Sequence, residues 1–131
     1  MAKAITKTTD LAAESKKVFK FLSNPLNWPQ FAVVNLVSVD KEQDGWYSMV
    51  SKNGPGQLKM LTNEAHGILD HIWKDPQASW TVYMRVVPNG NGSTLTTTFF
   101  QPSQINEADF QKGMRDMDIE FAKLKAILEH P

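Results

Sequence analysis

Apolar and polar side chains alternate with a period of two along most of this chain, and near its C-terminus the period lengthens to that of a helix. From Ser93 to Gln101, Leu95, Thr97, Phe99 and Gln101 fall on one side, and Thr94, Thr96, Thr98 and Phe100 on the other. That is the geometry of a strand, and the Leu95 side is the more apolar. Trp80 to Val87 keeps the same rhythm, with Trp80, Val82, Met84 and Val86 together. The two runs are separated by Asn89-Gly90-Asn91-Gly92, the strongest turn signal in the chain. A hairpin closed there sets Met84 beside Thr97 and Val82 beside Phe99, which joins both apolar sides into one face. Similar runs span Lys3 to Leu11, Val34 to Asp40, Trp46 to Lys52, Gln57 to Asn63 and Gly67 to Trp73. Asp44-Gly45, Asn53-Gly54-Pro55-Gly56 and Asp75-Pro76 punctuate them. Successive strands joined by turns this short must be antiparallel. In Trp46 to Lys52, the side holding Trp46, Ser48 and Val50 is assigned to the interior.

Three stretches break the alternation. Glu14 to Leu22 carries Val18, Phe19, Phe21 and Leu22 as a helical stripe, and Asn24-Pro25 stops it. Pro25 to Phe31 predicts a second short helix, because proline suits a first helical turn. After Asn106, a capping residue with Asp109 three places on, Phe110, Met114, Met117, Phe121, Leu124 and Leu128 recur at steps of three and four. Lys112, Asp116, Lys123 and Glu129 are placed on the opposite face. So long an amphipathic helix needs a partner for its apolar stripe, and the sheet is the only large one. The sequence therefore predicts an α+β fold. About seven antiparallel strands, in the order strand, two short helices, six strands and a long helix, curve around that last helix as one domain over residues 1–131.

Composition narrows the function. The chain has 131 residues, with 14 Lys and Arg against 14 Asp and Glu. A zero net charge argues against nucleic acid, which demands a basic surface. No basic amphipathic stretch suits a membrane surface, and no apolar run approaches the roughly 20 residues of a membrane span. The chain has no cysteine, so disulfides, thiolate metal sites and cysteine nucleophiles are excluded. Met1 to Thr6 lack the apolar core of a signal peptide. The expectation is a cytoplasmic protein, monomer or homodimer, without metal or cofactor.

Two ionisable residues stand inside an apolar run, Ile68-Leu69-Asp70-His71-Ile72-Trp73. If Ile68 and Ile72 face inward, Asp70 does too. Its carboxyl then has a raised pKa, as an acid/base group requires. If Leu69 and Trp73 face inward, His71 takes that place. Parity alone does not choose between them. An outward Asp70, or one paired with Arg85 on the next strand, has a purely structural role.

Some segments resemble a known family. Val18-Phe19-Lys20-Phe21-Leu22-Ser23-Asn24-Pro25, then Asn27-Trp28-Pro29-Gln30-Phe31, resembles the first helix and the D-P-x-x-W-P-x-W segment of the START-like, or SRPBCC, superfamily. Asn24 stands for the usual Asp and Phe31 for the second Trp. Phe121 to Glu129 is similar to the family's closing L-K-x-x-L-E, and Gly67 to His71 and Met84 to Gly90 resemble small bacterial members. The resemblance implies a helix-grip fold of the polyketide-cyclase and birch-pollen-allergen type, with a cavity between sheet and C-terminal helix.

The expected lining of that cavity is Trp28, Phe31, Trp46, Val50, Val82 and Met84, with Arg85, Thr97, Phe99, Met114, Met117 and Phe121. Its expected content is a small hydrophobic or aromatic molecule. One alternative is an enzyme of cyclase, isomerase or hydratase type using Asp70 or His71, with Tyr47, Tyr83 or Arg85 in support. Another is a protein-interaction module of co-chaperone kind. A dry hole of roughly 300 Å³, a common size for ligand sites, would cost about 7 kcal/mol at cavity-formation rates. That rivals a whole domain's stability of about 5–15 kcal/mol. Such a fold must therefore fill its interior or use it.

Overall fold

The computed structural model describes residues 1–130. Seven strands form one antiparallel sheet: β1 (Ala4–Leu11), β2 (Leu36–Lys41), β3 (Trp46–Ser51), β4 (Gly54–Asn63), β5 (Ile68–Lys74), β6 (Ser79–Asn89) and β7 (Gly92–Phe100). Their spatial order is β1-β7-β6-β5-β4-β3-β2. β2 to β7 are thus a meander, while β1 crosses to the far edge to pair with β7. Between β1 and β2 lie helix α1 (Ser15–Leu22) and the 3₁₀ helix Pro25–Gln30. Helix α2 (Glu107–Leu128) ends the fold.

Local chemistry explains the boundaries. Asn24 Oδ1 accepts from the Leu26 amide and opens the 3₁₀ helix, and Asn106 Oδ1 accepts from the Asp109 amide at 2.8 Å and opens α2. Asp44 and Gly45 both have positive φ in the β2–β3 turn, which matches strand twist. The β3–β4 turn is tighter than predicted. Ser51 pairs with Gly54, so Lys52 and Asn53 make the turn, and Gly54-Pro55-Gly56 already belongs to β4. Gly56 serves packing, because a Cβ there would lie 2.4 Å from the Trp73 ring.

α2 runs beside β1 and is tied to it along its length. Lys3 bonds Glu107, Lys7 bonds Asp118 at 2.7 Å, Lys125 donates to the Asp10 carbonyl, and the Ala12 amide donates to Glu129. The apolar stripe predicted for α2 is real: Phe110, Met114, Phe121, Leu124 and Leu128 are buried. Phe121, Leu124 and Leu128 join Leu11, Leu22, Leu69 and Leu95 in one core.

Two predicted facings are corrected. On β3 the inner side chains are Tyr47 and Met49; Tyr47 pairs with buried Leu58, and Met49 is 3% exposed. Trp46 and Val50 lie on the outer face, where Lys59 sits over the Trp46 ring and Val50 is 46% exposed. Both faces of β3 are apolar, so alternation alone did not reveal the inner one. Asp116, predicted on the polar face of α2, is instead buried beside Glu120.

Candidate ligand site between sheet and helix

The inner face of the sheet is apolar with a few buried polar side chains. β6 contributes Val82, Met84 and Val86; β7 contributes Leu95 and Thr97, with Phe99 packed against the core. Met84 pairs with Thr97 as the hairpin predicted. From α2, Met114 and Phe121 are buried and Met117 packs on the core. The 3₁₀ helix sends down Trp28, whose Nε1 donates to the Leu22 carbonyl at 2.9 Å, and Phe31 follows at a ring distance of 5.8 Å.

The structure chooses between Asp70 and His71. Leu69 and His71 are buried on the inner face, while Asp70 points outward. Between the pairs Ile68–Arg85 and His71–Val82 the β5–β6 ladder opens. There the Met84 amide donates to the Asp70 carboxylate at 2.8 Å. Asp70 thus patches a gap in the backbone ladder, which removes it as an interior acid or base. It does not pair with Arg85, whose guanidinium donates to the His66 carbonyl at 3.2 Å on the exposed side. Arg85 and Tyr83 are exposed, so neither lines the interior.

His71 is 5% exposed. Its Nδ1 lies 3.0 Å from the Leu69 carbonyl and donates to it. That bond fixes the tautomer, leaving Nε2 with its lone pair on the side of the ring away from the strand. The ring meets Trp28 edge-on, with centroids 5.0 Å apart. Burial lowers the pKa of His71 to about 4, against weaker raising influences from the Leu69 carbonyl and the Asp70 charge. The imidazole is therefore neutral at pH 7.

Thr97 is 1% exposed, and its Oγ1 is the one fully enclosed side-chain polar atom without a partner among the described residues. An enclosed hydroxyl without a partner costs about 1–3 kcal/mol, which makes it an exception in a folded protein.

Sequence reasoning missed Glu120. It is 5% exposed on α2, and its Oε2 accepts from the Val34 amide at 3.1 Å. The Asn35 amide bonds it as well. Burial pushes its pKa up, opposed by those two amides. Asp116, one turn earlier, accepts from Asn35 Nδ2 and from Lys112. Burial alone would raise the Asp116 pKa, but those bonds and the charges of Lys112 and Arg115 bring it below the ordinary value. Val34 and Asn35 are thereby strapped to the helix. The only available signal was the i, i+4 spacing of two acids on α2, which reads as a solvated face.

Two surface grooves lie away from this interior, near the start of α1. One, of about 420 Å³, is bordered by Glu14, Ser15, Lys16 and the β6–β7 turn. The other, of about 300 Å³, is bordered by Ser15, Lys16, His66 and Arg85. Their charges are mixed. Among the described residues, no group of three His, Asp or Glu has metal-binding spacing. Among the described residues, likewise, no helix is long and apolar enough to cross a membrane.

Neither a protein-family model nor a curated protein matches the sequence. Solved structures do match in fold over nearly the whole chain. Protein CV1439 from Chromobacterium violaceum superposes with a TM-score of 0.77 at 15% identity, covering 98% of this chain and 99% of that one. Ara h 8.0201 gives 0.73 at 11% identity, over 98% of both chains. The di-domain ARO/CYC StfQ from the steffimycin biosynthetic pathway gives 0.71 at 14%, covering 95% of this chain and 44% of that one. The fold these structures share with this chain is the helix-grip fold, a curved antiparallel sheet around a C-terminal helix.

Proposed function

We propose that this protein binds a small, mostly apolar molecule between the inner face of the sheet and α2. The observation that carries the reading is Thr97: a hydroxyl enclosed without a partner in the apolar interior. A ligand bearing an acceptor supplies that partner. Methionines on both walls, Met84 and Met117, support the reading, since an unbranched thioether chain adapts to the shape beside it. Much of the interior is filled by Trp28, Phe31, Met49 and Leu58, which favours a small ligand.

Of the two acid/base candidates, only His71 stays inside. Among the described residues His71 is hydrogen-bonded only to the Leu69 carbonyl, so binding is the stronger reading than catalysis.

The test is a titration with the apolar dye 8-anilinonaphthalene-1-sulfonate. One saturable site, with blue-shifted emission and displacement by aromatic competitors, is expected. Val50→Asp, on the outer face, should leave it unchanged. Dye uptake that does not saturate, or that Val50→Asp abolishes, refutes the interior site.

A further inference from the structure

We infer that the ligand carries a hydroxyl group, which donates a hydrogen bond to Nε2 of His71. The inference rests on the binding reading above and adds the chemical class. His71 sits on the inner face of β5, between Val82 of β6 and Met60 of β4. Its Nδ1–H is committed to the Leu69 carbonyl. A neutral imidazole has one donor and one acceptor, so Nε2 is left as an acceptor only. The strand fixes where it points. Nδ1 is bonded back to the main chain, so Nε2 lies on the far side of the ring, away from the β5 backbone. Trp28 packs against the ring edge-on.

The surroundings offer Nε2 no competing donor. Met60, Val82 and Trp28 flank the ring, and the Trp28 indole N–H is already given to the Leu22 carbonyl. The neighbouring Asp70 charge is on the other side of the sheet, committed to the Met84 amide. Of the other buried ionisable groups, Glu120 is held by the amides of Val34 and Asn35, and Asp116 by Asn35 and Lys112. A fixed, buried acceptor among apolar side chains recognises a ligand donor and little else. A phenolic or alcoholic O–H meets that need. An ether or an ionised carboxylate, having no donor, leaves the nitrogen without a partner. Thr97, two strands away on β7, completes the selection with the opposite polarity, as a donor.

The experiment compares two probes of like shape, 1-naphthol and 1-methoxynaphthalene, by titration calorimetry at pH 7. The protein is expected to bind naphthol about 10-fold more tightly, the worth of one buried hydrogen bond. His71→Phe should bind both about equally. In ¹⁵N-labelled protein, naphthol should move the Nε2 resonance of His71 and leave Nδ1 nearly unmoved. Equal binding of the two probes by the unsubstituted protein, or an Nε2 resonance unmoved at saturation, overturns the hydroxyl inference while leaving the binding site standing. Failure of both probes to bind at millimolar concentration overturns the inference together with the binding reading.

Discussion

A neutral imidazole enclosed between Trp28 and the β5 backbone makes stability depend on pH in a definite direction. The ordinary pKa is 6.5 and the folded value about 4, so the folded state resists a proton that the unfolded chain accepts. Stability is whole above pH 6.5 and falls as pH drops from 6.5 toward 4, by about 3 kcal/mol in total. Glu120 works the other way. Its folded pKa is raised, so the strain of its charge is relieved as pH falls through that value. Denaturant unfolding at pH 7 and pH 4.5 should therefore show a clear loss for the unsubstituted protein and a smaller one for His71→Phe. An equal loss in both would remove His71 as the source. The pair Asp70-His71 was visible in the sequence as one carboxylate and one imidazole of which a single member faces inward. What decided between them was the gap in the β5–β6 ladder, which a sequence does not display.

At the scale of elements, the strap from Val34 and Asn35 to α2 is the least expected feature. Burying the Glu120 carboxylate is costly unless it is well bonded, and here two backbone amides bond it. Glu120→Ala leaves those amides without their acceptor. Hydrogen exchange at Val34 and Asn35 should then accelerate roughly 10-fold, while the amides of β6 and β7 keep their protection. Unchanged exchange at both positions would show that the segment is held by its own turns. Much of the element pattern was legible in alternation and punctuation: the β6–β7 hairpin register, the Asn106 cap and the stripe from Phe110 to Leu128 all stand as read. The facing of β3 was not, because Trp46 and Val50 compete with Tyr47 and Met49 for the interior. The burial of Asp116 and Glu120 was not legible either. An acidic residue on an amphipathic helix reads as solvated until a loop with unpaired amides comes to meet it.

At the scale of the whole molecule, the fold sets the question of function. The helix-grip arrangement creates one long interface between a curved sheet and α2, and the sequence has filled part of it with Trp28, Phe31 and Phe121 while leaving Thr97 and His71 with polar capacity inside. The surface grooves near α1 pose the competing question, since a protein or polar partner would engage Lys16, His66 and Arg85 there. A single measurement separates the two. In a ¹H–¹³C methyl spectrum titrated with 1-naphthol, the account predicts saturable shifts at Met84, Met117, Leu95 and Thr97, the side chains of the sheet–helix interior. Shifts confined to Val87 and Ala65 at the groove, or none at all, would contradict it.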